Sequence, residues 1–106
     1  MEIVKEVILS EEEIDYTQFC NYCIESYKAI LSYILLQKSE YGYKYSKETF
    51  EHFMNEFQQA EIKFFLNTQE LLSKYAPEYM NSQDHQVIYN FELRVMTVYK
   101  GELIHE

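Results

Sequence analysis

A chain of 106 residues with 47% hydrophobic residues, two glycines and one proline has the size and composition of a single folded domain, which excludes a disordered or linker-rich protein. Its formal net charge of -9 disfavours direct binding to nucleic acid or to an anionic membrane, because phosphate groups repel an acidic surface. The first residues do not resemble a signal peptide and no apolar stretch is long enough to cross a bilayer, so we expect a cytoplasmic protein.

The first segment, residues 2–9, is predicted to be a short β-strand. Five of its eight residues are Ile, Val or Leu, and four of these are β-branched, the type that strands favour. The residues also alternate between two sets of positions, with Ile3, Val7 and Leu9 in one of them.

A long helix is predicted over residues 11–38. Ser10 and Glu13 have the spacing of a capping box, and the acidic residues of the first turn favour the positive end of a helix. Residues that can face a core then recur at intervals of three and four, which is typical of an amphipathic helix. This stripe comprises Tyr16, Cys20, Cys23, Tyr27, Ile30, Ile34 and Lys38, and it is widened by Phe19, Ile24, Leu31 and Leu35.

A second helix is predicted over residues 47–75. Ser46 precedes it, and Pro77 ends it because the residue before a proline is pushed out of the helical conformation. The two helices have similar lengths and a short connection, so we expect them to fold back as an antiparallel hairpin. The stripe of the second helix comprises Phe50, Phe53, Met54, Phe57, Ala60, Glu61, Phe64, Phe65, Thr68, Leu71, Leu72 and Tyr75.

The last segment, residues 86–99, is predicted to be one long strand. Val, Tyr and Phe are frequent in it, and Val87, Tyr89, Val95 and Tyr99 fall on the same set of alternating positions. A helix is the alternative, since some of its apolar residues also share a helical face.

The predicted fold is a single domain of residues 1–106 in the α+β class, dominated by helix. Its order is β-α-α-β, with the long helical hairpin packed on a small antiparallel sheet. Because two strands alone form a marginal sheet with open edges, we expect a second copy of the chain to complete the sheet, giving a homodimer. If the last segment is helical, the alternative is an all-α three-helix bundle.

No catalytic, cofactor-binding or metal-binding residues are predicted. Cys20 and Cys23 form a C-x-x-C, but they lie deep inside a predicted helix without a second pair of ligands, which indicates core residues. Glu48, His52 and Glu56 share one face of the second helix, and this face lies away from the apolar stripe. We therefore expect a solvated surface there and a protein that is not an enzyme.

The candidate partner-binding residues are at the tip of the hairpin. Tyr41, Tyr43 and Tyr45 fall within five residues of a connection that should be exposed, and tyrosine is frequent in protein interfaces. Glu48 and Glu51 follow at the start of the second helix and place negative charge beside the tip. This combination favours a protein partner with a basic surface.

Three functions fit these features. The first is a small acidic interaction protein that binds and regulates or inhibits another protein. Its composition is typical of phage and mobile-element products of AT-rich genomes, which suggests a nucleic-acid-binding or defence protein of the host as the target. The second is a structural or assembly component of a multimer or virion. The third is a small-molecule-binding protein or enzyme with a pocket between the hairpin and the sheet.

Overall fold

The computed structural model describes residues 2–36, 38–39, 42–43, 47–80 and 83–101. Two long helices and a small antiparallel sheet place the chain in the α+β class, as predicted. The elements in chain order are β1 (Glu2–Ile8), α1 (Glu11–Leu36), β2 (Lys38–Ser39), β3 (Gly42–Tyr43), α2 (Lys47–Tyr75), a single 3₁₀ turn (Pro77–Tyr79), β4 (His85–Asn90) and β5 (Val95–Lys100).

The chain divides into two compact units, and both helices pass through both of them. The first unit comprises residues 1–18 and 65–106, and it contains the sheet formed by β1, β4 and β5. The second unit comprises residues 19–64, and it contains the rest of both helices together with the pair formed by β2 and β3. The expectation of one domain stays a prediction.

The capping box at the start of α1 is confirmed. The backbone N–H of Glu13 donates a hydrogen bond to the hydroxyl of Ser10 at 3.2 Å, and the backbone N–H of Ser10 donates to the carboxylate of Glu13 at 2.9 Å. These bonds satisfy two donors that the first turn of a helix otherwise leaves without partners.

In the first unit the two helices run antiparallel, as the hairpin prediction requires. Near the start of α1, Glu13 accepts a bond from Lys74 at 3.0 Å, and one turn later Thr17 accepts a bond from the side-chain amide of Asn67 at 2.7 Å. The Thr17 hydroxyl in turn donates to the carbonyl of Glu13 at 2.8 Å. Because Thr17 and Asn67 are both buried, this bond satisfies polar groups that would be costly to leave without a partner.

The prediction of one long strand over residues 86–99 is wrong: the segment is a hairpin of β4 and β5. Residues 91–94 form the turn, in which the side-chain oxygen of Asn90 accepts a bond from the backbone N–H of Leu93 at 3.0 Å. Arg94 follows with a positive φ of 57°. Side-chain bonding to a backbone two or three residues ahead is how asparagine favours turns.

The sheet therefore has three strands from one chain, in the order β1-β5-β4, and every pair is antiparallel. The sequence predicted a sheet that a second copy would complete, and β4 instead supplies the additional strand. The edge strand β1 contains a register irregularity between Ile3 and Lys5, and irregularities of this kind hinder pairing with a further strand. Homodimerisation stays a prediction, but it no longer follows from an incomplete sheet.

The core of the first unit lies between the helices and the sheet. Met96 and Val98 of the central strand β5 are fully buried, and Thr68 of α2 shares a hydrogen bond of 2.7 Å with the hydroxyl of Tyr89 on β4. Burial of this apolar surface is the main contribution that holds the sheet on the helices. The buried cluster comprises Leu9, Ile14, Leu71, Leu72, Ala76, Met96 and Val98.

In the second unit only part of the predicted α1 stripe is buried. Cys20, Leu31 and Ile34 are buried, whereas Phe19 and Leu35 are exposed, which corrects their assignment to the core. The reason is that spacings of three and four residues can begin at Cys20 or at Phe19, and both series are apolar. Three further residues of the predicted stripes are exposed: Glu61 in the second unit, and Tyr16 and Phe65 in the first unit.

The left-handed conformation of Arg94 makes a testable prediction. Its carbonyl accepts the backbone N–H of Leu9 at 2.8 Å, so the turn also ties β5 to the end of β1. Arg94→Gly should leave the free energy of unfolding within about 0.5 kcal/mol of the original value or raise it, because glycine adopts positive φ without strain. Arg94→Val should lower it by roughly 1–2 kcal/mol, since β-branched residues are the most strained there.

Urea denaturation of the two Arg94 variants checks this expectation. Equal losses of stability in both would show that the side chain of Arg94, and not its backbone conformation, stabilises the turn.

Candidate protein-interaction surface

The sheet has one face on the helices and one face away from them. Successive side chains of a strand point to opposite faces, so the burial of Met96 and Val98 assigns Val95, Thr97 and Tyr99 to the other face. We call this the outer sheet face. Its three cross-strand rows, read from β1 through β5 to β4, are Ile3–Tyr99–Gln86, Glu6–Thr97–Ile88 and Ile8–Val95–Asn90.

Large aliphatic side chains dominate the accessible part of the outer sheet face. Ile3, Ile8 and Ile88 are between 41% and 75% exposed, and Leu93 in the neighbouring turn is exposed as well. Thr97, at the centre of the face, is nevertheless buried. The face thus combines a covered centre on the middle strand with protruding isoleucines on both edge strands.

An open groove of about 800 Å³ is lined by residues of this face, by residues 89 and 91–93 at and beside the β4–β5 turn, and by Gln18 of α1. Its lining residues include Ile88, Thr97 and Tyr99, and the charged residues among the lining are Glu6 and Glu92. Because both are acidic, the groove presents apolar surface next to negative charge. Such a surface is complementary to a partner that carries an apolar anchor flanked by basic residues.

The groove corresponds only in part to the pocket that the small-molecule alternative requires, since one helix residue, Gln18 of α1, is among its lining residues. That alternative places a ligand between the hairpin and the sheet, but in the first unit this space is filled by the core side chains of Leu9, Ile14, Leu72, Met96 and Val98. Small-molecule sites enclose most of their ligand, whereas the groove on the outer sheet face is open.

The structure describes the predicted hairpin-tip site only in part. Tyr41 and Tyr45 lie outside the described residues, and Tyr43 is described only by its backbone, in β3. Glu48 and Glu51 are exposed at the start of α2, in the second unit, and Glu51 lies 3.7 Å from the ammonium group of Lys47. The role of these five residues in partner binding stays a prediction.

The residues that the sequence offered as possible metal ligands lie on the two helices. Cys20 is buried and Cys23 half-buried, both as free thiols in α1. On α2, Glu48 and His52 are exposed and Glu56 is half-buried. Among the residues that the structure describes, no group of three or more His, Cys, Asp or Glu side chains is arranged to hold a metal ion.

Within the described residues, none of the helices has the length and apolarity needed to span a membrane.

Among the carboxylates that the structure describes, Glu13 has the pKa that is shifted furthest from its ordinary value. Partial burial acts to raise its pKa, but hydrogen bonds from the Tyr75 hydroxyl at 2.6 Å, from the Ser10 backbone and from Lys74 outweigh burial and lower the pKa to about 2. The hydrogen bond to Glu13 also raises the pKa of Lys74. These hydrogen bonds hold α1 against α2, so the carboxylate of Glu13 has a structural role.

Sequence reasoning missed the outer sheet face because it treated residues 86–99 as one strand. The available signal was that apolar residues occupy both sets of alternating positions, for example Val87 next to Ile88 and Val95 next to Met96. A strand with apolar residues on both faces is expected to be covered on both sides. In the described residues of the first unit, one of these faces is only partly covered: Thr97 is buried at its centre, and the isoleucines on its edge strands are exposed.

Comparisons of this chain with protein-family models, with curated proteins and with solved structures found no match. Its function is therefore inferred from the surfaces described above.

Proposed function

We propose that this chain is a small acidic, non-catalytic interaction protein that binds another protein through the outer sheet face and thereby regulates or inhibits it. The observation that supports this proposal most directly is the exposure of Ile3, Ile8 and Ile88 on the same face of the sheet. Contiguous exposed apolar surface on a folded chain is typical of interaction sites.

The acidic residues define the chemistry of the partner. Glu6 and Glu92 line the groove, and the whole chain carries a net charge of -9. A partner with an apolar anchor surrounded by Lys or Arg would be attracted to this face at long range and would desolvate its isoleucines on contact. Proteins that bind nucleic acid carry such basic surfaces, which is why we favour a nucleic-acid-binding or defence protein as the target.

The proposed setting is that of a phage or mobile-element product that acts on a protein of its host, in agreement with the composition. In this proposal Tyr41, Tyr43, Tyr45, Glu48 and Glu51 form an additional contact at the hairpin tip. A cytoplasmic location follows from the same proposal, since the target binds nucleic acid inside the cell.

A non-catalytic role is consistent with the state of Glu13. A general base must be free to accept a proton from a substrate near neutral pH. Glu13 has a pKa of about 2 and already accepts bonds from Ser10, Lys74 and Tyr75, so it is unsuited to that task.

The test of the proposed function compares two isoleucine-to-glutamate variants in affinity capture. Nuclease-treated lysate of a candidate host is passed over immobilised wild-type chain, Ile88→Glu and Ile62→Glu, each at low and at moderate salt. Ile88 lies on the outer sheet face, whereas Ile62 is an exposed residue of α2 in the second unit and serves as the matched control.

We expect a basic protein to be retained by the wild-type chain and by Ile62→Glu, and to be reduced at least about tenfold with Ile88→Glu, because burying a new charge in an apolar contact is costly. Retention should fall as salt rises, since screening weakens attraction between opposite charges. Equal retention by all three chains, or no retained protein at either salt concentration, contradicts a role for the outer sheet face.

The assembly function remains the second proposal. It predicts growth beyond a dimer as concentration increases, which sedimentation velocity of the purified chain measures directly.

A further inference from the structure

A second series of side chains on α1 lies away from the buried one. It begins at Phe19, and the intervals between successive members are three, four, three, four and three residues, the spacing of the contact positions in a coiled coil. We call it the outer α1 stripe. It comprises Phe19, Tyr22, Ser26, Ala29, Tyr33 and Leu36, all within the second unit.

Five of the six members of the outer α1 stripe are exposed, and Ser26 is half-buried. Its four large members, Phe19, Tyr22, Tyr33 and Leu36, are between 52% and 80% exposed, and Ala29 between them is exposed as well. On the other side of the same helix, Cys20, Leu31 and Ile34 are buried. Therefore α1 has two apolar faces, one packed in the core and one accessible to solvent.

This part of α1 is almost uncharged, in contrast to the rest of the chain. Residues 19–36 contain two charged side chains, Glu25 and Lys28, and these cancel each other. The chain as a whole has a net charge of -9, so most of its surface repels a second copy. The neutral stretch coincides with the apolar stripe, which lowers the electrostatic cost of bringing a second copy against this side of α1.

We propose that the outer α1 stripe is the contact between two copies of this chain, which pair α1 against α1 in antiparallel orientation about a two-fold axis. In that arrangement Phe19 of one copy faces Leu36 of the other, Tyr22 faces Tyr33, and Ser26 faces Ala29. Large residues meet large ones at both ends, and small ones meet at the centre, where the helices can approach closely. The stripe is thus self-complementary, as a two-fold contact requires.

The area of the stripe is close to what a specific dimer needs. With about 200 Å² for a whole large side chain, the exposed fractions of Phe19, Tyr22, Tyr33 and Leu36 leave roughly 500 Å² accessible in each copy. The smaller members and the flanking side chains add to this. Specific interfaces begin at about 600 Å² per partner, so the stripe supports a dimer of moderate affinity.

Charge at the start of α1 favours the antiparallel orientation over the parallel one. Glu11, Glu12, Glu13 and Asp15 are clustered in the first turns. In a parallel pair the two clusters would lie side by side and repel each other. In the antiparallel pair they lie at opposite ends, about 40 Å apart along the axis at 1.5 Å per residue.

The inference is tested by sedimentation equilibrium of the full chain with one charge introduced into the stripe. The wild-type chain should be in monomer–dimer equilibrium in the micromolar range, and the dimer should tighten as salt rises, because salt screens the repulsion between two acidic chains. Ala29→Glu should weaken the dimer at least about 30-fold, since it brings two like charges together at the centre of an apolar contact. The matched control is Gln58→Glu, which adds the same charge at an exposed position of α2 and should leave the dimer unchanged.

The double variant Ser26→Lys/Ala29→Glu shows whether the two α1 helices of the dimer are antiparallel or parallel. In the antiparallel pair each lysine faces a glutamate of the other copy, so the affinity should return to within about fivefold of the wild-type value. In a parallel pair lysine faces lysine and the affinity stays low. Thermal melts monitored by circular dichroism establish that the variants remain folded, which the exposure of Ala29 leads us to expect.

Three results would overturn the inference. A wild-type chain that is monomeric at every concentration up to about 200 µM would show that the stripe does not bind a second copy. A dimer that is lost in Ile88→Glu and unaffected by Ala29→Glu would place the second copy on the outer sheet face instead. A dimer that Ala29→Glu weakens but the double variant does not restore would exclude the antiparallel pairing. Binding of a partner through the outer sheet face is measured separately with Ile88→Glu, so either proposal can fail without the other.

Discussion

Met96→Ala should lower the free energy of unfolding by about 2–5 kcal/mol, the largest single effect that we expect in this chain. Met96 is fully buried on the central strand β5, where it belongs to the core that includes Leu72 and Val98. Alanine removes three heavy atoms and leaves a cavity, so both the transfer free energy and the packing contacts of those atoms are lost. For a domain of this size the expected loss is a large part of the total stability.

The matched control for Met96→Ala is Ile88→Ala on the adjacent strand β4. Ile88 lies on the outer sheet face and is 41% exposed, so its truncation should cost about 1–2 kcal/mol, less than that of Met96. Urea denaturation with a two-state fit measures both values. Similar losses for the two variants would mean that the outer sheet face is covered in solution, which would place a second copy or another segment of the chain on it.

Glu13→Gln should destabilise the chain by about 1–2 kcal/mol at pH 7, after allowance for solvent screening at this site. The substitution keeps the shape of the side chain but removes the negative charge. Glu13 accepts bonds from the Tyr75 hydroxyl, from Lys74 and from the backbone of Ser10, so the cap of α1 and the contact with α2 both weaken. Bonds to a charged acceptor are stronger than bonds to a neutral one.

The effect of Glu13→Gln should depend on pH in a defined direction. Partial burial opposes ionisation of Glu13, but the hydrogen bonds from Tyr75, Ser10 and Lys74 outweigh it and lower the pKa from 4.5 to about 2 in the folded state. A lowered pKa means that the ionised carboxylate stabilises the folded chain at pH values above 4.5, and that this contribution is lost as the pH falls from about 4.5 towards 2. The difference in free energy of unfolding between the wild-type chain and Glu13→Gln should therefore have its full value at pH 7 and be clearly smaller at pH 3.

Thermal melts at pH 7, 5, 4 and 3 check this prediction, with Glu12→Gln as the control. Glu12 is the exposed neighbour of Glu13 in the same turn, and its substitution removes the same formal charge. The prediction is contradicted if the stability difference between the wild-type chain and Glu13→Gln is constant from pH 7 to pH 3, or if Glu12→Gln shows the same pH dependence. Either result would show that general charge effects, and not the specific bonds of Glu13, stabilise the helix start.

The two proposed contact surfaces have different chemistry, which makes their roles separable. The outer sheet face combines isoleucines with the acidic groove residues Glu6 and Glu92, so contact with a basic partner should weaken with salt. The outer α1 stripe lies in a neutral stretch of an acidic chain, so contact between two copies should strengthen with salt. A single salt titration of each complex therefore distinguishes partner binding from self-association.

Local signals in the sequence were sufficient to predict where α1 begins and where α2 ends. The Ser10–Glu13 capping box places the start of α1, and Pro77 places the end of α2 near Tyr75, because both act within one helical turn. The α+β class also followed from the sequence, since the helical spacings and the β-branched start of the chain leave few alternatives. The hydrogen bonds of the helix start and the conformational restriction at the helix end involve residues at most four positions apart.

Which of two apolar faces is buried depends on long-range packing that the sequence pattern does not specify. On α1 the series that begins at Cys20 and the series that begins at Phe19 have the same spacing, and the core covers the first of them. In the last segment the turn after Asn90 reverses the chain, so that Val87 and Val98 share the core face although they belonged to different sets in the single-strand prediction. Burial is settled by contacts between positions far apart in sequence, such as Thr17 with Asn67, and periodicity alone does not contain that information.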